Sequence, residues 1–261
     1  MSETTDFYLS WLGDASFGLG GRSIQGPEPT AFSPTDISNC SVWLDATDNL
    51  TIQGSGNNVE KWFNKGDLSG SFIQYDIQAV PTTNTHTING NNAIWFDSYQ
   101  TLYCPLAFPN QEFTLFVVTT TLSDLSVQNY ADWFGGYTAG AFSSSMSEYL
   151  GTYYTGCGAN AVDNYVMIGQ NYYPQNVPVI YAIRSSSDLS SNILYINNVN
   201  QPLDFNNYSG YNTNTLDYYI HIFTHPSSFD IGEIIVYNRA ITDDEIKQVT
   251  DYLSGKFIIN I

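Results

Sequence analysis

Two carboxylates close together in one apolar stretch, Asp230 and Glu233, are the groups here best placed to do chemistry. They stand in Ser228-Phe229-Asp230-Ile231-Gly232-Glu233. Retaining hydrolysis of a glycosidic bond needs two carboxyl groups about 5 Å apart on one surface. On a regular strand, residues three apart point to opposite faces. The expectation is therefore that these acids do not form a catalytic pair and that the chain is not an enzyme. Histidine offers no replacement. His86 sits among threonines in an expected loop, and His221 and His225 lie four apart in a segment that does not read as a helix. The chain contains no G-x-S-x-G, H-E-x-x-H or phosphate-binding glycine loop.

Binding chemistry is better represented. Calcium takes six to eight oxygen ligands, which acidic loops can supply. Asp132, in Tyr-Ala-Asp-Trp-Phe-Gly-Gly, and Asp163, beside Asn164, are the candidates, with solvated loop acids as the alternative reading. No other cofactor is called for. Tyr153, Tyr154, Tyr172, Tyr173, Tyr208 and Tyr211 alternate with Gly, Asn and Thr. Aromatic faces beside amide groups suit flat sugar rings, through stacking and paired hydrogen bonds. The same residue types also make protein–protein contacts.

The elements that must carry these residues are strands. Phe113–Thr121 is a continuous apolar and β-branched run, and Tyr218–Phe223 and Ile234–Tyr237 are further strands. Asn89-Gly90 and Asn197-Asn198 mark tight hairpins. One helix follows. Thr242-Asp243-Asp244-Glu245 is a capping box, Ile246, Val249 and Leu253 form an apolar stripe, and Gly255 is the expected C-cap. Many short strands with one terminal helix predict an all-β, two-sheet antiparallel jelly-roll sandwich.

Residues 1–36 differ from the rest. Gly and Pro interrupt any regular element, yet Phe7, Tyr8, Trp11 and Phe17 are apolar. This segment reads as an extended N-terminal arm before a domain at 37–261, packed on that domain or docked on a neighbouring subunit.

Composition narrows the partners. Lys+Arg 7 against Asp+Glu 25 gives a formal charge of −18. That field repels nucleic acid and anionic membranes, and no apolar run reaches membrane-spanning length. Three widely spaced cysteines, Cys40, Cys104 and Cys157, do not form a disulfide framework or a zinc site. The N-terminal stretch lacks a basic region followed by a long apolar one, so synthesis in the cytosol without a signal peptide is expected.

A set of ordered motifs resembles the laminin G-like and concanavalin A-like jelly-roll family. They are Trp43-Leu44-Asp45-Ala46, Val59-Glu60-Lys61-Trp62-Phe63-Asn64-Lys65, Asn89-Gly90 with Ala93-Ile94-Trp95-Phe96-Asp97, Phe113–Thr119 and the strand-to-helix ending Phe229–Gly255. The match runs over most of 40–257 and is poor across roughly 125–190. Laminarinase-type hydrolases share this architecture, but their E-x-D-x-x-E pattern would need an acid where this chain has Ser228. The resemblance also extends to capsid-associated and fibre proteins of large viruses. It implies a structural component of a virion or other assembled particle, joined to other subunits through the arm. A glycan-binding recognition module is the alternative.

Overall fold

A computed structural model describes residues 31–74, 79–97, 99–105, 112–122, 130–138, 141–149, 152–155, 166–168, 175–186, 191–204, 219–225 and 228–261. Contacts divide the chain into two compact units, Met1–Ala31 and Phe32–Ile261.

The described residues form eighteen strands. In chain order they begin with β1 (Cys40–Asp45), β2 (Ile52–Gln53), β3 (Lys61–Phe63), β4 (Ser71–Gln74), β5 (Thr82–Ile88) and β6 (Asn91–Asp97). Next come β7 (Thr101–Cys104), β8 (Phe113–Thr121), β9 (Tyr130–Thr138), β10 (Ala141–Tyr149), β11 (Thr152–Thr155) and β12 (Val166–Ile168). The last are β13 (Pro178–Ser185), β14 (Ile193–Ile196), β15 (Val199–Gln201), β16 (Leu203–Asp204), β17 (Tyr219–His225) and β18 (Ser228–Tyr237), ahead of helix α1 (Asp243–Phe257).

All pairings are antiparallel. The first sheet runs β15-β14-β13-β8-β18-β6-β5, and β1 also pairs with β18. The second runs β16-β12-β11-β10-β9-β17-β7-β4-β3-β2. Strand β18 is shared along its length: Ser228–Ile231 pair with β6, and Glu233–Tyr237 pair with β1. The expected two-sheet sandwich with one C-terminal helix is the architecture observed.

Alternation along the strands builds two cores. Leu44, Ile94, Phe96, Leu115, Val117, Ile234 and Val236 of the first sheet meet Trp62, Phe72, Leu102 and Ile222 of the second, all buried. The intervening residues Phe116, Val118, Ile180, Ala182, Ile235 and Tyr237 face the other way and bury against Ile246, Val249, Leu253 and Phe257 of α1. The first sheet is thus covered on both faces, which explains the continuous apolar run of Phe113–Thr119.

The capping box forms as expected. Glu245 N–H donates to Thr242 Oγ1 at 3.3 Å, and Thr242 N–H donates to Glu245 Oε2 at 2.8 Å. Gly255 is not the cap. The helix continues to Phe257, and Ile258 closes it in the left-handed region with φ 54°. Burial of Phe257 and Ile259 in the second core carries the chain past the glycine. Asn89-Gly90 and Asn197-Asn198 all have positive φ, as type I′ hairpin turns require.

The sequence places the arm at 1–36, but the domain's own contacts start at Phe32. Phe32 packs on Tyr252, Pro34 is buried, and the Tyr237 hydroxyl donates to the Pro34 carbonyl at 2.9 Å. The arm residues Phe7, Tyr8, Trp11 and Phe17 lie outside the described residues.

Candidate functional site

The outer face of the second sheet carries no helix among the described residues, and a cleft lies at the sheet's β3–β4 end. In β3, Trp62 is fully buried while Lys61 and Phe63 are exposed. In β4, Phe72 is buried while Ser71 and Ile73 face out, and in β7 Leu102 is buried between half-exposed Thr101 and Tyr103. Register lines up Lys61, Ile73, Tyr103 and His221 across β3, β4, β7 and β17.

At the β3–β4 end of this row lies a cleft of about 500 Å³, lined by Asn58, Glu60, Lys61, Ile73, Gln74 and Val80. That volume is in the range of small-molecule sites. Backbone bonds hold its rim. Val59 N–H donates to Pro81 O at 2.8 Å, Thr83 N–H to Asn57 O at 2.8 Å, and Gln74 N–H to Glu60 O at 3.0 Å. Gly54 makes the tight approach: a Cβ there would lie 1.8 Å from the Asn58 carbonyl oxygen. The lining combines two amides, a carboxylate and an ammonium with the aliphatic surface of Ile73 and Val80. Such a set can donate to and accept from ring hydroxyls while an apolar ring face rests on the aliphatic groups.

Three of the candidates drawn from the sequence are in described strands other than those of the cleft. Tyr153 and Tyr154 are in β11 and Asp132 is in β9. One register row runs Thr101, Phe223, Asp132, Ser147, Tyr154, Met167, Asp204 across seven strands. Asp132 and Tyr154 are therefore brought to the same row, two strands apart, and Tyr153 belongs to the next. Tyr172, Tyr173, Tyr208, Tyr211 and Asp163 fall outside the described residues. Among the described residues no three His, Cys, Asp or Glu gather as a metal site. The cleft residues were readable in one respect: the alternation of Glu60-Lys61-Trp62-Phe63 turns Lys61 outward wherever Trp62 is core. Nothing local shows that Gln74 and Val80 close around it, because that depends on the pairing of β3 with β4 and on the chain's return at Pro81.

The carboxylates Asp230 and Glu233 need a correction. They face the same side of the first sheet, because the register of β18 against β8 shifts between Ile231 and Glu233, at Gly232. This bulge adds a residue, so Phe229, Ile231, Ile234 and Val236 point into the sandwich while Asp230, Glu233, Ile235 and Tyr237 point to the helix side.

Each is tied to partners of its own. Glu233, 1% exposed, is closed beneath α1. It accepts from Trp43 Nε1 at 2.7 Å, the Tyr252 hydroxyl at 3.0 Å and Lys256 Nζ at 2.6 Å. Lys256 also meets Asp45 at 2.8 Å, and Lys65 joins Asp45 at 3.3 Å to Asp48 at 2.8 Å. Burial pushes the Glu233 carboxyl up to about 7 against the pull of Lys256. Burial acts upward on Asp45 too, but Lys256, Thr47 and Lys65 together hold it below the usual range.

Asp230 has its own partner. His86 is in strand β5, not in a loop, with Nδ1 2.9 Å from Asp230 Oδ1 and its ring stacked on Trp95 at 4.6 Å. That distance suits an ion pair when the imidazole is protonated. Burial pushes Asp230 up to about 6.

No family model matches the chain, and no curated protein sequence matches it. Solved structures do. Trypanosoma rangeli sialidase in complex with sialic acid aligns with a TM-score of 0.56 at 12% identity over 85% of this chain and 34% of that one. The same sialidase with the inhibitor DANA aligns with a TM-score of 0.55 at 14% identity, covering 81% of this chain and 32% of that one. The receptor-binding domain of botulinum neurotoxin D gives a TM-score of 0.55 at 10% identity, covering 85% of this chain and 54% of that one. The chain spans about a third of the sialidases' length and about half of the toxin domain's. At these identities the likeness shows the fold alone. It nonetheless overturns the expectation that the chain is not an enzyme, since the structures sharing this fold include sialidases.

Proposed function

We propose that this domain is a carbohydrate-recognition module whose ligand seats in the cleft between β3, β4 and the segment at Val80. One observation carries the reading. The cleft at the β3–β4 end of the second sheet places Asn58, Glu60, Lys61 and Gln74 around the aliphatic surface of Ile73 and Val80. Sugar recognition needs that combination of donors, acceptors and apolar contact. The similar structures support the ligand class, one being a sialidase bound to sialic acid and another a receptor-binding domain. A particle component can present such a face, so the assembly role expected of Phe7, Tyr8, Trp11 and Phe17 is compatible with this function.

Saturation-transfer NMR of the full chain against a panel of neutral and acidic oligosaccharides tests the reading. Transfer to ring protons of at least one sugar, lost in the double variant Asn58→Ala/Gln74→Ala, is the expected result. Absence of transfer from the whole panel would remove the proposal.

A further inference from the structure

The cations of this chain are few, and nearly all are committed. Six of the seven lie in the described residues, and five of these are ion-paired: Lys65 with Asp48, Arg184 with Asp243, Arg239 with Glu245, Lys247 with Asp251 and Lys256 with Glu233. Lys61 is the exception. Among the described residues its ammonium has no ion-pair or hydrogen-bond partner, it is exposed, and it lines the cleft.

In a chain with 25 acids and a formal charge of −18, an ammonium left unpaired is set apart. Strand β3 fixes it there, because burial of Trp62 in the sandwich core obliges Lys61 to point out over Ile73, its register partner. Beside it, the side-chain amides of Asn58 and Gln74 each offer N–H donors. An ammonium with two amides is a donor-rich receptor for one carboxylate, and a charge-assisted bond is roughly twice as strong as a neutral one. Glu60 has the opposite character. It only accepts, so it suits sugar hydroxyls and repels a second anion. The field of the whole molecule disfavours polyanions in the same way.

Resting on the carbohydrate reading of this cleft, we infer that its ligand is an acidic sugar with a single carboxylate, a sialic or uronic acid, and that Lys61 is the counter-charge that selects it.

Calorimetric titration of the full chain with matched probes separates this inference from the reading beneath it. The probes are sialyllactose against lactose, a methyl glucuronide against the methyl glucoside, and heparin as a polyanion. The wild type should bind the acidic member of a pair roughly three- to tenfold more tightly than its neutral partner, as expected for a partly exposed charge pair. That preference should shrink on raising the salt from 50 to 500 mM. Lys61→Gln should remove the preference, weakening the acidic member of each pair more than its neutral partner, while Lys61→Arg should keep most of it. Because Lys61 is exposed, thermal unfolding of both variants should match the wild type and so exclude misfolding. Equal binding of acidic and neutral partners, a preference that survives Lys61→Gln, or tightest binding to heparin would overturn the inference and leave carbohydrate recognition standing. Silence toward every probe would remove the carbohydrate reading itself.

Discussion

Glu233 shows how the helix and the sheet are bound together by charge. A carboxylate this deeply buried is tolerated because Trp43, Tyr252 and Lys256 all donate to it. The raised positions of Glu233 and Asp230 set the sign of the pH response. Between about pH 4 and about 7 the folded chain holds protons that the unfolded chain has released, so these two groups make stability fall as pH rises through that window. Glu245 acts the other way. Arg239 and the helix cap hold it down to about 2, so its contribution is present above the ordinary carboxylate range and is lost as pH falls. Thermal unfolding should accordingly be highest near pH 5 and decline toward pH 8, with the self-repulsion of the acidic chain adding to the decline. Glu233→Gln should flatten that slope, by about 1 to 3 kcal/mol across the range. Lys256→Met leaves Glu233 without a counter-charge and Asp45 with Lys65 alone, and should cost about 3 kcal/mol at neutral pH and less at pH 5, read by denaturant unfolding. None of this network could be read from the chain, since Trp43, Glu233 and Lys256 are far apart in sequence and meet only when β1, β18 and α1 assemble.

The ending of the domain, β18 into α1, was the most readable element, and its errors are instructive. The capping box and the stripe Ile246, Val249, Leu253 are local chemistry, and all of them form. The bulge in β18 was missed although it had a signal, a lone glycine inside an apolar strand. Gly232 is obligatory for a second reason. A Cβ there would lie 2.5 Å from Cε1 of the fully buried Phe257 ring, so Gly232→Ala should cost about 1 to 3 kcal/mol. Gly255 is the reverse case. It sits inside the helix with open space around its Cα, so Gly255→Ala should raise stability by about 0.5 to 1 kcal/mol in chemical denaturation. The sequence assigned it as a cap because a glycine in the last turns of a helix usually is one. Burial of Phe257 and Ile259 outweighed that local preference.

At the scale of the whole molecule, alternation and turn chemistry suffice to announce a two-sheet sandwich. They do not say which face remains open. That is decided by α1, which takes the outer side of the first sheet and leaves the second sheet's outer face without a helical cover among the described residues. The cleft follows from the pairing of β3 with β4 and from the return of the chain at Val80 and Pro81, which closes on Val59 beside β3. The aromatic residues singled out from the sequence were chosen by type. The cleft groups Asn58, Lys61 and Gln74 come together by topology, which no local pattern encodes.

The location of the ligand tests the account most directly. Amide chemical-shift mapping of the full chain, titrated with the oligosaccharide that saturation transfer identifies, reads it residue by residue. The account expects saturable shifts centred on Asn58, Lys61, Ile73, Gln74 and Val80, weakened by Lys61→Gln when the sugar is acidic. Shifts centred instead on Trp95, His86 and α1, or on the row through Asp132 and Tyr154 with the cleft unmoved, would contradict it.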